Sequence, residues 1–100
     1  MDSTAARTAP SGGLVTLRYW AAARSAAGVD EDRIEVDGPV SLAWLVRSAD
    51  GLHRDSARFR DVIGTCSTLL GDRPVTSDDP ETVQVPPGST VEFLPPFAGG

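Results

Sequence analysis

The most constraining feature of this sequence is a period-two stretch near each end with one amphipathic helix between them. Val15, Leu17 and Tyr19 alternate with Thr16 and Arg18, and Val91 and Phe93 alternate with Glu92 and Leu94. Half-buried strands show this spacing because successive side chains point to opposite faces of a sheet. Ser41 stands where a helix N-cap would, and Leu42, Leu45, Val46 and Ala49 follow at spacings that form one apolar stripe. Asp50-Gly51 is expected to close that helix. Trp44 falls off the stripe and is expected at the rim. Strands and a helix that each own a single apolar face must share one core, which predicts a helix laid across one face of a sheet.

The remaining segments fit this frame. Ala21 to Ala27 favours a helical turn stopped by Gly28, and Arg33-Ile34-Glu35-Val36 alternates again before the Asp37-Gly38-Pro39 turn. The first two strands are thus expected to pair antiparallel. Ala57 to Ile63 reads as a second short helical segment with Phe59, Val62 and Ile63 turned inward. Cys66 to Leu70 reads as a strand, Gly71-Asp72 as a hairpin turn, and Arg73-Pro74-Val75 as a short partner that Pro74 confines to an edge. Thr76 to Glu81 is a polar loop and Pro86-Pro87-Gly88 a turn. The expectation is an α+β domain with a mixed sheet of about four to five strands. It runs over residues 14–94, between a flexible tail at 1–13 and an extended tail at 95–100.

Composition narrows the function classes. One domain is expected at 100 residues, and 14 acids against nine bases give a net charge of −5. A nucleic-acid binder would instead show a basic face. Cys66 is the only cysteine and His53 the only histidine, so neither a disulfide framework nor a zinc cluster is expected. A reducing, cytoplasmic setting is the default for such a chain. Cys66 is expected to pack as a small apolar residue and His53 to sit on the surface. The chain shows no signal-peptide core, no apolar run of membrane-spanning length and no glycine-rich phosphate loop. It is poorly equipped as a stand-alone catalyst.

The close of the sequence carries the chemistry. Pro95-Pro96-Phe97-Ala98-Gly99-Gly100 follows directly on the last strand pattern. Proline supplies no backbone N–H, so Pro95 and Pro96 end the ladder and stiffen the exit. Six extended residues reach about 20 Å. Gly99 and Gly100 place the terminal carboxylate on backbone without side chains, suited to threading into a narrow channel of another protein. All nine basic residues are arginine, so no lysine amine of the chain is available to attack an activated end.

From Leu14 to Gly100 the sequence resembles the ubiquitin-like sulfur carriers, most closely the small subunit of molybdopterin synthase. The resemblance rests on Val15-Thr16-Leu17-Arg18-Tyr19-Trp20-Ala21-Ala22-Ala23-Arg24, on Ser41-Leu42-Ala43-Trp44-Leu45, and on Gly88 to Gly100 with its Pro-Pro and Gly-Gly. It implies a β-grasp (ubiquitin-like) fold with the first and last strands side by side in mid-sheet. It also implies a carrier rather than an enzyme by itself. Gly100, preceded by Gly99, would be adenylated with ATP by an E1-like enzyme and converted to a thiocarboxylate with sulfur from a donor protein. The molybdopterin synthase large subunit, in a heterotetramer, would then use that sulfur for molybdenum cofactor biosynthesis. No bound cofactor, metal, nucleic acid or membrane is implied. Trp20 and Leu94, at the root of the tail, would form an apolar docking patch, continued by Pro95, Pro96, Phe97 and Ala98. The alternatives are a carrier for thiamine, cysteine or secondary-metabolite biosynthesis, a ubiquitin-like protein modifier, and a plain β-grasp interaction module.

Overall fold

The computed structural model describes residues 13–96. The elements in chain order are β1 (Gly13–Tyr19), α1 (Ala21–Ala27), β2 (Glu31–Val36), β3 (Val40–Ser41), α2 (Leu42–Leu52), α3 (Ala57–Thr65), β4 (Ser67–Leu70), β5 (Arg73–Pro74), β6 (Gln84–Val85) and β7 (Thr90–Leu94). Five strands form one sheet in the order β2-β1-β7-β4-β5, and β3 and β6 form a separate two-stranded ribbon. β1 pairs antiparallel with β2 and parallel with β7, which pairs antiparallel with β4. The first and last strands thus lie side by side in the middle, as expected. Pro74 sits in the outermost strand, where its missing N–H costs no ladder bond.

The alternation places Val15, Leu17, Tyr19, Val91 and Phe93 on the buried face of the two central strands. Against them pack Leu42, Leu45 and Ala49 of α2, Phe59 and Ile63 of α3, and Ala23 and Ala26 of α1. The helical layer therefore has three members, the expected main helix and the two shorter helical segments on either side of it in sequence. The N-terminus of α2 shows why it begins at Leu42. Ser41 Oγ accepts from Trp44 N–H at 3.0 Å, while Leu42 N–H and Ala43 N–H donate to Val83 O and Pro80 O at 2.9 and 3.0 Å. Three donors that a helix start leaves unpaired are satisfied by one cap and one loop.

Three expectations at element ends are corrected. α2 runs through Gly51 to Leu52, because His53 N–H still reaches Ala49 O at 3.0 Å and adds the final turn. β2 begins at Glu31, two residues before the alternation was read. Cys66 belongs to the end of α3: its N–H donates to Ile63 O and its thiol to Val62 O, so β4 starts at Ser67. The ribbon of β3 and β6 was not expected: its strands are only two residues long, and β6 falls between the Thr76–Glu81 loop and the Pro86-Pro87-Gly88 turn. Their pairing, with Val40 opposite Val85, brings Val85 into the core beside Val83 and Val75.

Turn chemistry agrees with the chain path. Gly28 adopts φ 79° and closes α1 by donating its N–H to Arg24 O at 2.8 Å, and Gly71 adopts φ 63° in the β4–β5 hairpin. Outside the core, Arg60 grips Asp50 with Nε to Oδ1 at 3.3 Å and Nη2 to Oδ2 at 2.6 Å, clamping α3 to α2. The guanidinium holds the Asp50 carboxyl below its ordinary range. Leu45 is fully buried between the sheet and the helical layer. Leu45→Ala is expected to lower the unfolding free energy by about 2–5 kcal/mol, read as a shift of the urea midpoint with unchanged slope.

Candidate functional site

Parallel pairing brings the ends of β1 and β7 to the same side of the sheet. Arg18 lies opposite Glu92 and Tyr19 opposite Phe93, and Trp20 N–H donates to Phe93 O at 3.2 Å. On its other flank β7 ends with Leu94 opposite Ser67. The next two residues are prolines, Pro95 half-buried and Pro96 exposed, so the ladder stops and the chain leaves the sheet here. β1 leaves at the same level by a sharp turn: Trp20 is extended and Ala21, the first residue of α1, takes a positive φ of 50°.

The two faces at this exit differ in chemistry. On the outer face Trp20 is 40% exposed, so it neither folds under α1 nor joins the core. Its indole Nε1–H donates to Glu92 Oε1 at 2.8 Å, and the Arg18 guanidinium lies 5.3 Å from its ring centroid. These two contacts hold the indole at the surface between a carboxylate and a cation. Leu94, on the same face, is half-buried. The surface is therefore an aromatic residue framed by Arg18 and Glu92, more polar than the bare apolar pair expected from alternation. Phe97, Ala98, Gly99 and Gly100 lie outside the described residues.

On the inner face an aromatic cluster sits beneath the exit. Tyr19 stacks on Phe93 with centroids 5.9 Å apart and planes 22° apart, and meets Phe59 edge-on at 5.5 Å. His53 joins this group, 4.7 Å from Phe59 and edge-on to Tyr19 at 5.9 Å. Asp32 Oδ2 accepts from Tyr19 Oη at 2.8 Å and lies 2.5 Å from His53 Nε2. The Tyr19 phenol is pushed far above its ordinary value by burial and by Asp32, which keeps it a donor. His53 was expected on the surface. Only 12% of its side chain is exposed, because Asp32 and the two rings give an imidazole both a polar and an apolar partner. The signal for this cluster was legible: Asp32 is in phase with Ile34 and Val36, an acid at an inward position of a strand.

Other features bear on chemistry. A groove of about 270 Å³ between α2 and α3 is floored by Val46, Phe59 and Ile63, with Arg47, Asp50 and Arg60 at its mouth. Among the described residues no three metal-ligating side chains converge, and no helix is long and apolar enough to cross a membrane. Burial pushes the Cys66 thiol up to about 11. On the order of one molecule in ten thousand then carries thiolate at neutral pH. Iodoacetamide is expected to leave Cys66 unmodified in the folded protein at neutral pH and to label it once urea unfolds the chain; mass spectrometry reads both states.

No family model matches the sequence, and no curated protein matches it. Solved structures do match. A molybdopterin converting factor subunit 1 candidate from Pyrococcus furiosus superposes with a TM-score of 0.66 at 22% identity, covering 85% of this chain and 99% of that one. Small archaeal modifier protein 1 from Haloferax volcanii superposes with a TM-score of 0.67 at 16% identity, covering 85% and 99%. Subunits 1 and 2 of the molybdopterin-converting factor from Helicobacter pylori form a protein–protein complex; the matched chain superposes with a TM-score of 0.58 at 18% identity, covering 87% of this chain and 99% of its own. What these proteins share with the chain described here is architecture, at identities too low to carry more. The domain is a ubiquitin-like β-grasp, the fold it holds in common with these converting-factor subunits and archaeal modifiers.

Proposed function

We propose that this protein is a sulfur carrier that supplies sulfur for molybdopterin formation, with Gly100 as the carrying residue. The observation that bears most weight is the placement of β7. A last strand paired on both sides in mid-sheet, ended by Pro95 and Pro96, gives the residues after it a fixed point of departure. Chemistry at such an end needs activation, because a carboxylate is a poor acyl donor. An E1-like enzyme would join the Gly100 carboxylate to the AMP moiety of ATP, releasing pyrophosphate. The terminal sulfur of a donor protein's persulfide then attacks the acyl carbon, AMP leaves, and a thiol reductant cleaves the remaining S–S bond. The product is a thiocarboxylate on Gly100.

In the acceptor step the thiocarboxylate sulfur attacks an oxygen-bearing carbon of a pterin precursor held by a larger subunit, forming a C–S bond as the C–O bond breaks and the oxygen leaves with a proton. Water then hydrolyses the acyl–sulfur bond to regenerate the carboxylate. The carrier behaves as a group-transfer cofactor does, with binding and acid–base groups coming from its partners. A large-subunit partner is supported by the two-subunit complex among the structural neighbours. Trp20, framed by Arg18 and Glu92 beside the exit, is the residue assigned to dock those partners, together with Leu94, Pro95, Pro96, Phe97 and Ala98. A second reading, a modifier that joins Gly100 to lysine amines of other proteins by an amide bond, is favoured by the equally good superposition on small archaeal modifier protein 1.

Co-expression with an E1-like enzyme and a persulfide donor tests the sulfur reading. One oxygen of the Gly100 carboxylate is expected to be replaced by sulfur, a gain of about 16 Da in intact mass, lost on deletion of Gly99-Gly100. Amide adducts on other proteins, without that gain, select the modifier instead. Trp20 is exposed, so Trp20→Asp is expected to change folding stability by only about 0.5 kcal/mol while weakening capture of the large subunit at least about tenfold, as measured by calorimetry.

A further inference from the structure

The inner face of the exit contains a chain of contacts that the carrier chemistry does not use. His53, at the C-terminal end of α2, reaches Asp32 of β2; Asp32 holds the Tyr19 hydroxyl of β1; and the Tyr19 ring carries Phe93, two residues before Pro95. An ionised carboxylate only accepts, so the His53 Nε2 facing Asp32 is a donor, and both donors converge on the same oxygen, Oδ2. A single oxygen receiving two hydrogen bonds fixes the position of each donor relative to the other. The Tyr19 ring is held on several sides: its hydroxyl on Asp32, Phe59 and His53 at steep angles to it, and Phe93 stacked nearly parallel.

We propose that His53 is a positioning residue for the end of the chain, acting through Asp32 and Tyr19 to set the seat of Phe93 and the direction in which Pro95 and Pro96 leave the sheet. The elements in this relay come from three parts of the fold, α2, β2 and the β1–β7 pair, and meet only at the exit. Phe93 cannot shift without moving its own carbonyl, which accepts from Trp20 N–H, and so the relay also reaches the outer face where Trp20 stands. The charged and titratable groups facing His53 are Asp32 from β2 and Tyr19 from β1, while α3 presents the Phe59 ring. The functional weight of this placement rests on Gly100 being the carrying end; the placement itself does not.

The test is spectroscopic, so its outcome is independent of whether Gly100 carries sulfur. In two-dimensional NMR of the full chain, His53→Leu, which removes the donor, is expected to shift the Phe93 and Leu94 amide signals and the Pro95 Hα. Tyr19→Phe keeps the ring and deletes only its hydroxyl, and is expected to shift the same signals in the same direction. His53→Gln, whose side-chain amide offers a donor at similar reach, is expected to restore them toward the original positions. The proposal is overturned if both deletions leave Leu94 and Pro95 where they were, or if His53→Gln leaves them displaced as far as His53→Leu does. Should His53→Leu fail to fold, His53→Ala takes its place and is read in the same way: displaced Leu94 and Pro95 signals support the relay and unmoved ones end it.

Discussion

The parallel pairing of β1 with β7 is the interaction on which the rest of this molecule depends. It joins segments about 70 residues apart, as the Trp20–Glu92 bond across 72 positions shows. Such a contact is costly to form early, because the entropy of closing a long loop is lost before any ladder bond compensates. The pair is flanked by β2 on one side and by the β4–β5 hairpin on the other, with the helical layer packed across it. A partner that recognises both Trp20 and Leu94 recognises a finished domain, since neither residue has its neighbour in an unfolded chain.

The two faces of the central strands divide the work. The inner face supplies cohesion through Val15, Leu17, Val91 and the rings of Tyr19, Phe93 and Phe59. The outer face presents Arg18, Trp20 and Glu92, tied to one another yet open to water. Because residues alternate along a strand, one inward and one outward side chain share each step, and displacement of Phe93 inside necessarily displaces Glu92 and Leu94 outside. The polar tie between Trp20 and Glu92 also has a physical use. It holds an exposed indole in one orientation, reducing the side-chain entropy lost when a partner covers it.

Much of this was legible in the sequence where one physical rule dominated. Alternation in Val15-Leu17-Tyr19 and Val91-Phe93, the Ser41 cap and the αL glycines are local signals, and each reappears in the structure. The misses arise where tertiary contacts decide. The β3–β6 ribbon has strands too short to show a period, and its stability comes from Val83 and Val85 reaching the core. Gly51 reads as a helix stop, yet His53 anchors the final turn from outside the helix. His53 itself reads as surface because its neighbours Arg54 and Asp55 are charged, whereas its carboxylate partner lies 21 positions away. At the candidate site, Trp20 stands outward as alternation implies, but its contacts with Glu92 and Arg18 needed the register of β1 against β7.

The edges of the sheet have a consequence for how such a protein can associate. A strand at an edge offers unpaired N–H and C=O groups to any neighbouring chain. Here one edge, β5, ends on Pro74, which lacks the donor. The other, β2, carries Glu31, Asp32, Arg33 and Glu35, whose charges resist alignment with a second copy of the same strand. Proline at one edge and a run of charges at the other both disfavour strand addition by a second copy, which leaves the broad face and the exit of β7 as the surfaces without that obstacle.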